Sequence, residues 1–328
     1  MKILIIGSKE RYEKFSSEQL KKRGNNLIFC HRSSNDAELL KAAKDADLII
    51  CDAITVVSRN LINNMPKLKM IHSEGVAYDK IDIAAASEKG IYVCNNKGCN
   101  AGAVAEQAIL LMLAFLRKAI VGDREVRAGR QIQMKERLMV EGITDLADCA
   151  VGLIGFGDIA KATALRLKAF GSKVYYYKPR RESGQTEIAY AVEYADLEEL
   201  ADKSDIVSIH SAVTDKTKGM INEAFLNRMK NTAFIVNTAR GEIVDNDALR
   251  RALLAGKIAG AAFDTLYPEP TPANHPLVDL PGEFRDRVIY SPHLGGITTG
   301  SFFRMHRNIW ENVARIERGE KPLCVVNG

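Results

Sequence analysis

The chain has 328 residues, of which 46% are hydrophobic and 27% are charged, and its net charge is +5. This composition is typical of a soluble globular protein, and the length predicts two domains of ordinary size. The basic residues are scattered, so we expect no nucleic-acid interface. The six cysteines form no close CxxC pair and the histidines lack the spacing of metal ligands, so we expect neither a disulfide framework nor a metal site.

The N-terminal segment MKILIIG is apolar, but it is too short for a signal peptide and charged residues follow it. It predicts the first strand of a sheet. The longest apolar run, residues 108–116, is far shorter than the ~20 residues that span a membrane. We therefore expect a cytoplasmic protein with no membrane partner.

Strand and helix patterns alternate along the chain, which predicts an α/β fold with parallel sheets. Candidate strands of a first set cover residues 3–6, 26–30, 48–51, 69–72 and 91–94. A second set begins near residue 151 and continues through residues 174–178, 205–209, 233–237, 258–263 and 288–290.

Three further segments complete the prediction. Residues 104–117 are apolar on nearly every side, which indicates a buried or interface helix. Six of the nine prolines lie between Pro268 and Pro292 and predict a loop region. The strand-like residues 323–326 have no nearby partner, so we expect them to return to the first domain.

The most informative motif is the turn Gly155-Phe156-Gly157-Asp158-Ile159-Ala160, which lies between a strand and a helix closed by Gly171. In this setting GxGxxG/A is the dinucleotide fingerprint. Gly155 makes the tight turn and Gly157 lets the backbone approach a pyrophosphate. The helix N-terminus then offers free N–H groups to the phosphates.

The strand that follows ends in Lys178-Pro179-Arg180-Arg181. An NAD-binding protein would place an acidic residue near Lys178 to hold the ribose 2′-OH. A basic cluster attracts a 2′-phosphate instead, so the sequence favours NADP(H) over NAD(H). The alternative interpretation is a solvated run of surface charge.

Three polar residues each follow a candidate strand of the second set: Arg240, Glu269 and His293. Ligands of open α/β sheets bind at these carboxyl ends. Arg can bind a carboxylate through its two-pronged guanidinium, while His can exchange a proton near neutral pH with Glu as its partner. Taken singly, each could be an ordinary surface or loop residue.

Together with the glycine turn, these residues resemble the D-isomer-specific 2-hydroxyacid dehydrogenases, which include glyoxylate/hydroxypyruvate reductases and D-3-phosphoglycerate dehydrogenases. The resemblance covers nearly the whole chain. Its motifs are residues 75–82, Asn100 with residues 104–106, the GFGDIA turn, residues 208–210 with Thr214 and Thr217, residues 237–241, residues 262–264 with Glu269-Pro270, residues 291–293 and residues 325–327.

The resemblance implies an Arg/Glu/His catalytic group. Arg240 would bind the carboxylate and keto oxygen of the substrate, His293 would protonate that oxygen, and Glu269 would orient and charge the imidazole. The loop of Gly75, Val76 and Ala77 would bind the substrate carboxylate through its backbone N–H groups.

The resemblance also implies two Rossmann-like domains. Residues 1–99 and 297–328 would form a discontinuous substrate-binding domain, and residues 100–296 the inserted dinucleotide-binding domain, with a homodimer as the assembly. The implied contacts to NADP, or else NAD, come from Gly155, Gly157, Asp158, Ile159, Lys178, Arg180, Arg181, Ser211, Thr217, Thr238, Ala239, Asp264, Gly295 and Gly296.

We therefore expect an oxidoreductase that transfers hydride between NADP(H) or NAD(H) and a 2-keto or D-2-hydroxy acid, in the manner of a glyoxylate/hydroxypyruvate reductase. A D-3-phosphoglycerate dehydrogenase is one alternative, although Val57 stands where that branch carries an Arg and only Arg59 is nearby. A dinucleotide-sensing transcriptional co-regulator without turnover is the other. The usual Gly and Asn of the substrate loop are replaced by Ala77 and Lys80.

Overall fold

The computed structural model describes residues 1–16 and 24–328. The chain divides into two compact units, which we call the terminal unit (Met1–Asn100 with Ile297–Gly328) and the central unit (Ala101–Gly296). Asn100 thus falls in the terminal unit, one residue from the boundary that the sequence suggests.

The terminal unit contains a five-stranded parallel sheet in the order β2-β1-β3-β4-β5. Its strands are β1 (Lys2–Ile6), β2 (Asn26–Cys30), β3 (Leu48–Cys51), β4 (Met70–Ser73) and β5 (Tyr92–Cys94). Its described helices are α1 (Lys9–Phe15), α2 (Asp36–Ala43), α3 (Arg59–Asn63), α4 (Ile83–Glu88) and α13 (Thr299–Glu317).

The central unit contains a seven-stranded parallel sheet in the order β12-β11-β10-β9-β6-β7-β8. Its strands are β6 (Ala150–Ile154), β7 (Lys173–Tyr177), β8 (Glu193–Tyr194), β9 (Ile206–Ile209), β10 (Phe234–Asn237), β11 (Gly260–Phe263) and β12 (Val288–Tyr290). Its helices are α5 (Ala101–Leu116), α6 (Ala119–Arg127), α7 (Gln131–Glu141), α8 (Asp158–Phe170), α9 (Gly184–Tyr190), α10 (Leu197–Lys203), α11 (Glu223–Arg228) and α12 (Asn246–Leu254).

The inner strands of both sheets read as continuous apolar runs because helices cover both faces of a parallel sheet. All residues of β3 and β9 are buried, for example. Helix ends follow local chemistry: Asn35 and Asp196 begin α2 and α10 with capping boxes, and Gly171 ends α8 at a φ of +88°. The parallel sheets confirm the α/β fold class.

Helix α5 is mostly buried within the central unit, and Leu110 is its main exposed apolar side chain, at 57% exposure. The sequence predicted this helix but not the two that follow it. Helix α6 buries none of its residues and α7 buries only Met134. The exposed apolar surface of this region therefore lies on α6 and α7 rather than on α5.

The prediction was wrong for residues 323–326, which form no strand. Val325 makes only an isolated antiparallel bridge to Cys94, and Val326 N–H donates to Val93 O at 2.8 Å. These contacts return the C-terminus to the terminal unit, as expected. Among residues 1–16 and 24–328, no helix combines the length and apolar character needed to cross a membrane.

Candidate active site

The glycine turn lies between β6 and α8, as the sequence predicted. Gly155 adopts a φ of +92°, and a Cβ there would lie 2.9 Å from the backbone of His210, so only glycine fits. A Cβ on Gly157 would meet nothing within 4 Å, which leaves the backbone open to a ligand. No side chain caps α8, so its first N–H groups are available to an anion.

The cations after β7 are not equivalent. Lys178 pairs with Glu182 at 2.5 Å, and Arg181 donates two hydrogen bonds of 2.8 Å to the carboxylate of Glu187. In the described part of the chain, no carboxylate lies within ion-pair distance of the exposed Arg180. The cluster thus contains one free guanidinium and two cations that already have partners.

Both acidic partners are ionised at neutral pH. The hydrogen bond from Lys178 lowers the pKa of Glu182, and those from Arg181 and the Tyr176 hydroxyl lower the pKa of Glu187 to about 2. These carboxylates compete with any phosphate for Lys178 and Arg181. Sequence reasoning weighted the three cations equally, although Glu182 follows Lys178 at a spacing of four residues.

The carboxyl end of β9 and β10 contributes smaller polar groups. The Ser211 hydroxyl donates to Ile154 O at 3.1 Å, and that of Thr217 donates to Ala212 O at 2.7 Å. The hydroxyl of Thr238 is buried without a hydrogen-bond partner among the described residues. Such an orphaned group fits a bound cofactor as its missing partner.

His293 and Glu269 lie together. His293 Nδ1 is 3.0 Å from Glu269 Oε2 and 3.1 Å from Oε1, and both side chains are about half exposed. Nδ1 therefore faces the carboxylate, which leaves Nε2 for a substrate. His293 also has a φ of +55°, a conformation that is rare for residues other than glycine and that concentrates at functional sites.

Asp264 fixes the turn that carries His293. Its buried carboxylate accepts the N–H groups of Leu294 and Gly295, both at 2.8 Å, and the hydroxyl of Ser291. Its carbonyl oxygen accepts His293 N–H at 2.9 Å. Sequence reasoning placed Asp264 beside the cofactor, but it did not foresee that the same carboxylate folds this turn.

Arg240 follows β10, and β10, β11 and β12 are neighbours in the sheet, so Arg240, Glu269 and His293 all follow adjacent strands. The side-chain amide of Asn237 stabilises the turn that contains Arg240. It donates to Arg240 O at 3.0 Å and accepts Ala239 N–H at 3.0 Å. The Arg240 guanidinium is half-buried and donates to Ala239 O at 2.7 Å. The remaining N–H groups suit a carboxylate or keto oxygen.

In the terminal unit, residues 73–77 comprise the last residue of β4 and the loop that follows it. Every carbonyl oxygen of these residues accepts a hydrogen bond from within the terminal unit. Asn96 donates to Ser73 O, Glu74 O and Gly75 O, Asn95 donates to Val76 O, and the Ser73 hydroxyl donates to Ala77 O. The N–H groups of Val76 and Ala77 have no acceptor among the described residues. We call these two N–H groups the carboxylate cradle, since they offer only donors.

A largely buried ion-pair network surrounds Glu74, which lies two residues before Val76 in the same loop. Glu74 accepts two hydrogen bonds from Arg11, and its Oε1 lies 2.9 Å from His306 Nε2. Arg11 also pairs with Asp52 at 3.0 Å. The network neutralises the Glu74 carboxylate, which would otherwise repel an anion at the cradle. No pattern in the sequence linked these residues, because His306 lies 232 positions from Glu74.

His210 belongs to a predicted motif but is unsuited to acid catalysis. Its Nε2 lies 2.9 Å from the Ser208 hydroxyl, and removal from solvent lowers its pKa to about 4. The imidazole is therefore neutral at physiological pH. Among the described residues, no group of three or more His, Cys, Asp or Glu side chains could hold a metal ion.

Comparison with known proteins agrees with this geometry. Residues 109–295 match the family model described as D-isomer specific 2-hydroxyacid dehydrogenase, NAD binding domain. Over 290 residues the chain is 38% identical to a glyoxylate reductase of Thermofilum pendens, which covers 88% of this chain and 84% of that protein. A glyoxylate reductase of Pyrococcus furiosus is 36% identical over 88% of this chain and 85% of its own length.

Solved structures agree as well. A D-lactate dehydrogenase from Aquifex aeolicus, solved with NAD and lactic acid, matches with a TM-score of 0.84 and 27% identity over 99% of both chains. These similarities extend over both units. The chain belongs to the D-isomer-specific 2-hydroxyacid dehydrogenases, which are nicotinamide-dependent oxidoreductases that act on the CH–OH group of 2-hydroxy acids and reduce the corresponding 2-keto acids.

Proposed function

We propose that this enzyme is an NADPH-linked reductase of short 2-keto acids, with glyoxylate or hydroxypyruvate as substrate. The observation that carries the proposal is the Glu269–His293 pair, whose side chains lie 3.0 Å apart. Glu269 follows β11, which lies beside β10, the strand that leads to Arg240. The choice of substrate draws on the relatives from Thermofilum pendens and Pyrococcus furiosus, which are glyoxylate reductases.

The residues of the central unit fit a nicotinamide dinucleotide. Gly155 and Gly157 leave the turn open, and the first N–H groups of α8 suit the pyrophosphate. The buried hydroxyl of Thr238 has no hydrogen-bond partner among the described residues, and the cofactor would supply one. When bound, the dinucleotide supplies the hydride. We assign the remaining predicted contacts to Asp158, Ile159, Ser211, Thr217, Ala239, Asp264, Gly295 and Gly296.

The side chains supply binding and proton transfer. Arg240 of the central unit binds the carboxylate and keto oxygen of the acid. In the terminal unit, the carboxylate cradle is assigned to substrate binding on its own geometry, because its two N–H groups have no acceptor among the described residues. His293 donates a proton from Nε2 to the keto oxygen as negative charge develops there. Glu269 faces Nδ1 and stabilises the imidazolium before the transfer. General acid catalysis of this kind contributes roughly 10²–10⁴-fold.

NADP(H) is our preferred cofactor because Arg180 is a free cation beyond the end of β7, where the ribose 2′ position is expected. Lys178 and Arg181 would add to it by exchanging Glu182 and Glu187 for a phosphate. An NADP-linked enzyme would act mainly in the reducing direction, since cells hold that pool largely reduced.

The phosphoglycerate alternative fits less well. Arg59 is the basic residue near Val57, the position where phosphoglycerate dehydrogenases carry an Arg. It donates two hydrogen bonds to Glu88 and lies 3.4 Å from Asp82. Its guanidinium therefore already donates to acidic partners and is poorly placed to donate to a substrate phosphate.

The test is the oxidation of NADPH and of NADH with glyoxylate, hydroxypyruvate, pyruvate and 3-phosphohydroxypyruvate. We expect the highest kcat/KM for one of the first two acids with NADPH, and a loss of at least about 100-fold in His293→Ala. Binding of NADPH without turnover of any acid would favour the co-regulator instead. A clear NADH preference would refute the cofactor assignment.

We also propose a homodimer. The exposed apolar side chains of α6 and α7 include Ile120, Val126, Ile132, Met139 and Val140, each more than half exposed in the single chain. A second copy of the chain would cover them.

A further inference from the structure

Glu269, the partner of His293, lies on an exposed stretch of chain. Residues 267–270, which include Glu269, are all exposed to solvent. Apart from the Glu269–His293 pair and a hydrogen bond from the Thr271 hydroxyl to Pro268 O, the hydrogen bonds found for this stretch in the described part of the chain end at one atom, Tyr267 O. The position of Glu269 therefore depends on what holds that carbonyl group.

Two side chains donate to Tyr267 O. His275 Nε2 lies 3.0 Å from it and Asn246 Nδ2 lies 2.9 Å from it. His275 is only 2% exposed, and its Nδ1 accepts Leu277 N–H at 3.2 Å. Since Nδ1 accepts, the ring proton of this tautomer is on Nε2, which donates to Tyr267 O. Asn246 Nδ2 lies 3.1 Å from Nε2, so the two nitrogens approach the same carbonyl oxygen side by side.

The peptide bond that precedes Tyr267 lies beside the Arg240 turn. A Cβ on Gly241 would lie 2.2 Å from Leu266 C and 2.3 Å from Tyr267 N, so the chain before Glu269 packs directly on the residue after Arg240. Two donors and one close backbone contact thus fix Tyr267 against the turn of Arg240.

We propose that His275 is a positioning residue for catalysis, which acts with Asn246 to hold Glu269 against His293. His275 does not reach the reacting atoms. It fixes the carbonyl group two residues before Glu269, so its loss lets Glu269 move away from Nδ1 of His293. A displacement of about 1 Å at a catalytic group can lower the rate about 100-fold. This inference rests on the proposed function, because it requires the Glu269–His293 pair to act in keto-acid reduction.

Two substitutions separate the roles of the ring nitrogens. In His275→Gln the amide nitrogen occupies the place of Nε2 and keeps the donor to Tyr267 O. In His275→Asn the amide oxygen can replace Nδ1 as the acceptor of Leu277 N–H, but the donor to Tyr267 O is lost. Asp247→Asn, on an exposed residue beside Asn246, is the matched control.

We expect His275→Asn to lower kcat at least about tenfold, with the KM for NADPH changed less than about twofold. His275→Gln should stay within about threefold of the wild type. Equal losses in the two variants, or full activity in His275→Asn, would overturn the inference.

A double-mutant cycle distinguishes positioning from general loss of structure. In a Glu269→Gln background, His275→Asn should add less than about twofold to the loss in kcat, because its only route to the reaction is already removed. A full multiplicative loss would mean a structural role alone. If His275→Asn does not fold, Asn246→Ala removes the other donor and is subject to the same cycle and the same criteria.

The two hypotheses fail differently. A wild-type enzyme that reduces no 2-keto acid with either cofactor contradicts the proposed function. A wild-type enzyme with normal turnover, combined with additive losses in the cycle, contradicts only the role of His275.

Discussion

His293 occupies a backbone conformation that costs roughly 1–3 kcal/mol when a residue other than glycine adopts it. The buried carboxylate of Asp264 sustains it, because the N–H groups of Leu294 and Gly295 both converge on that side chain. The imidazole is thus directed by its own backbone as well as by Glu269. This double constraint matches the need of a general acid for a fixed direction.

At the same scale, the three cations after β7 should contribute unequally to cofactor choice. Arg180→Ala should raise the KM for NADPH about 10- to 100-fold, since it removes a charge-assisted hydrogen bond, and leave the KM for NADH within about twofold. Arg181→Ala should have a smaller effect, because Arg181 already pairs with Glu187. Initial rates with both cofactors measure this. Equal effects of the two substitutions would show that the free guanidinium is not what selects the phosphate.

Gly75 is a second residue whose substitution has a defined outcome. A Cβ at this position would lie 2.6 Å from the Cβ of Ala53, so Gly75→Ala must displace the loop that carries the carboxylate cradle. We expect the KM for the keto acid to rise about tenfold while the KM for NADPH is unchanged.

The same contact supplies the control for Gly75→Ala. The double variant Ala53→Gly/Gly75→Ala removes the clash and should restore most of the KM for the keto acid. If the double variant is no better than Gly75→Ala alone, the steric account of this glycine is wrong.

Among the elements, β4 and α13 are joined by a buried polar chain. His72 Nδ1 donates to Ser73 O at 2.8 Å, and its Nε2 accepts the amide of Asn312 at 3.0 Å. The Asn312 side chain in turn donates to Leu323 O and accepts Leu323 N–H. The C-terminal segment therefore depends on side-chain hydrogen bonds rather than on a sheet ladder, which explains why residues 323–326 form no strand.

This chain of hydrogen bonds predicts acid sensitivity. Burial lowers the pKa of His72 from 6.5 to about 4. Below pH 6.5 the unfolded chain takes up a proton that the folded chain refuses until about pH 4, so stability that is present above pH 6.5 is lost as the pH falls through this window. The contribution is about 2 kcal/mol of unfolding free energy between pH 7 and pH 5.

Urea unfolding at the two pH values measures this effect. His72→Asn should reduce the loss of stability between pH 7 and pH 5 by about 2 kcal/mol, although the variant is less stable at pH 7. His31→Asn, on an exposed residue, should leave the loss unchanged. An unaltered pH dependence in His72→Asn would exclude this histidine as its source.

Periodicity located the strands well because a parallel strand covered on both faces must be apolar throughout. The ranges 26–30, 48–51 and 288–290 agree with β2, β3 and β12 to the residue. Strand β8 was missed since two edge residues carry no pattern. The sequence indicated that Glu269 and His293 each follow a strand, and in the structure those strands are neighbours and the two side chains lie 3.0 Å apart.

Side-chain pairing was beyond sequence reasoning. The partners of Lys178 and Arg181 depend on how residues 179–183 turn, and no rule for regular elements fixes an irregular loop. His275 was considered only as a metal ligand, because nothing in a proline-rich loop shows which carbonyl group a buried imidazole will meet.

For the whole molecule, the distribution of exposed apolar residues predicts the assembly. Ile132 and Met139 lie seven residues apart on α7, so they share one side of the helix, and they are 58% and 75% exposed. We expect sedimentation velocity at micromolar concentration to show a dimer, and Ile132→Lys/Met139→Lys to convert it to a monomer that melts at a similar temperature.

The control for the dimer is Gln133→Lys, on another side of α7, which should remain dimeric. A wild-type protein that sediments as a monomer would contradict the proposal directly. A double variant that stays dimeric would move the interface away from this helix.

The carboxylate cradle has a consequence for which chemical groups the enzyme accepts. Every carbonyl oxygen of residues 73–77 already accepts a hydrogen bond, whereas the N–H groups of Val76 and Ala77 have no acceptor among the described residues, so the free hydrogen-bonding groups of the loop are donors. A substrate amide carries no negative charge, so it would forfeit charge-assisted bonds worth about 1.5–3 kcal/mol each. Pyruvamide should therefore be reduced at least about 100-fold less efficiently than pyruvate, although the two molecules differ little in size and shape.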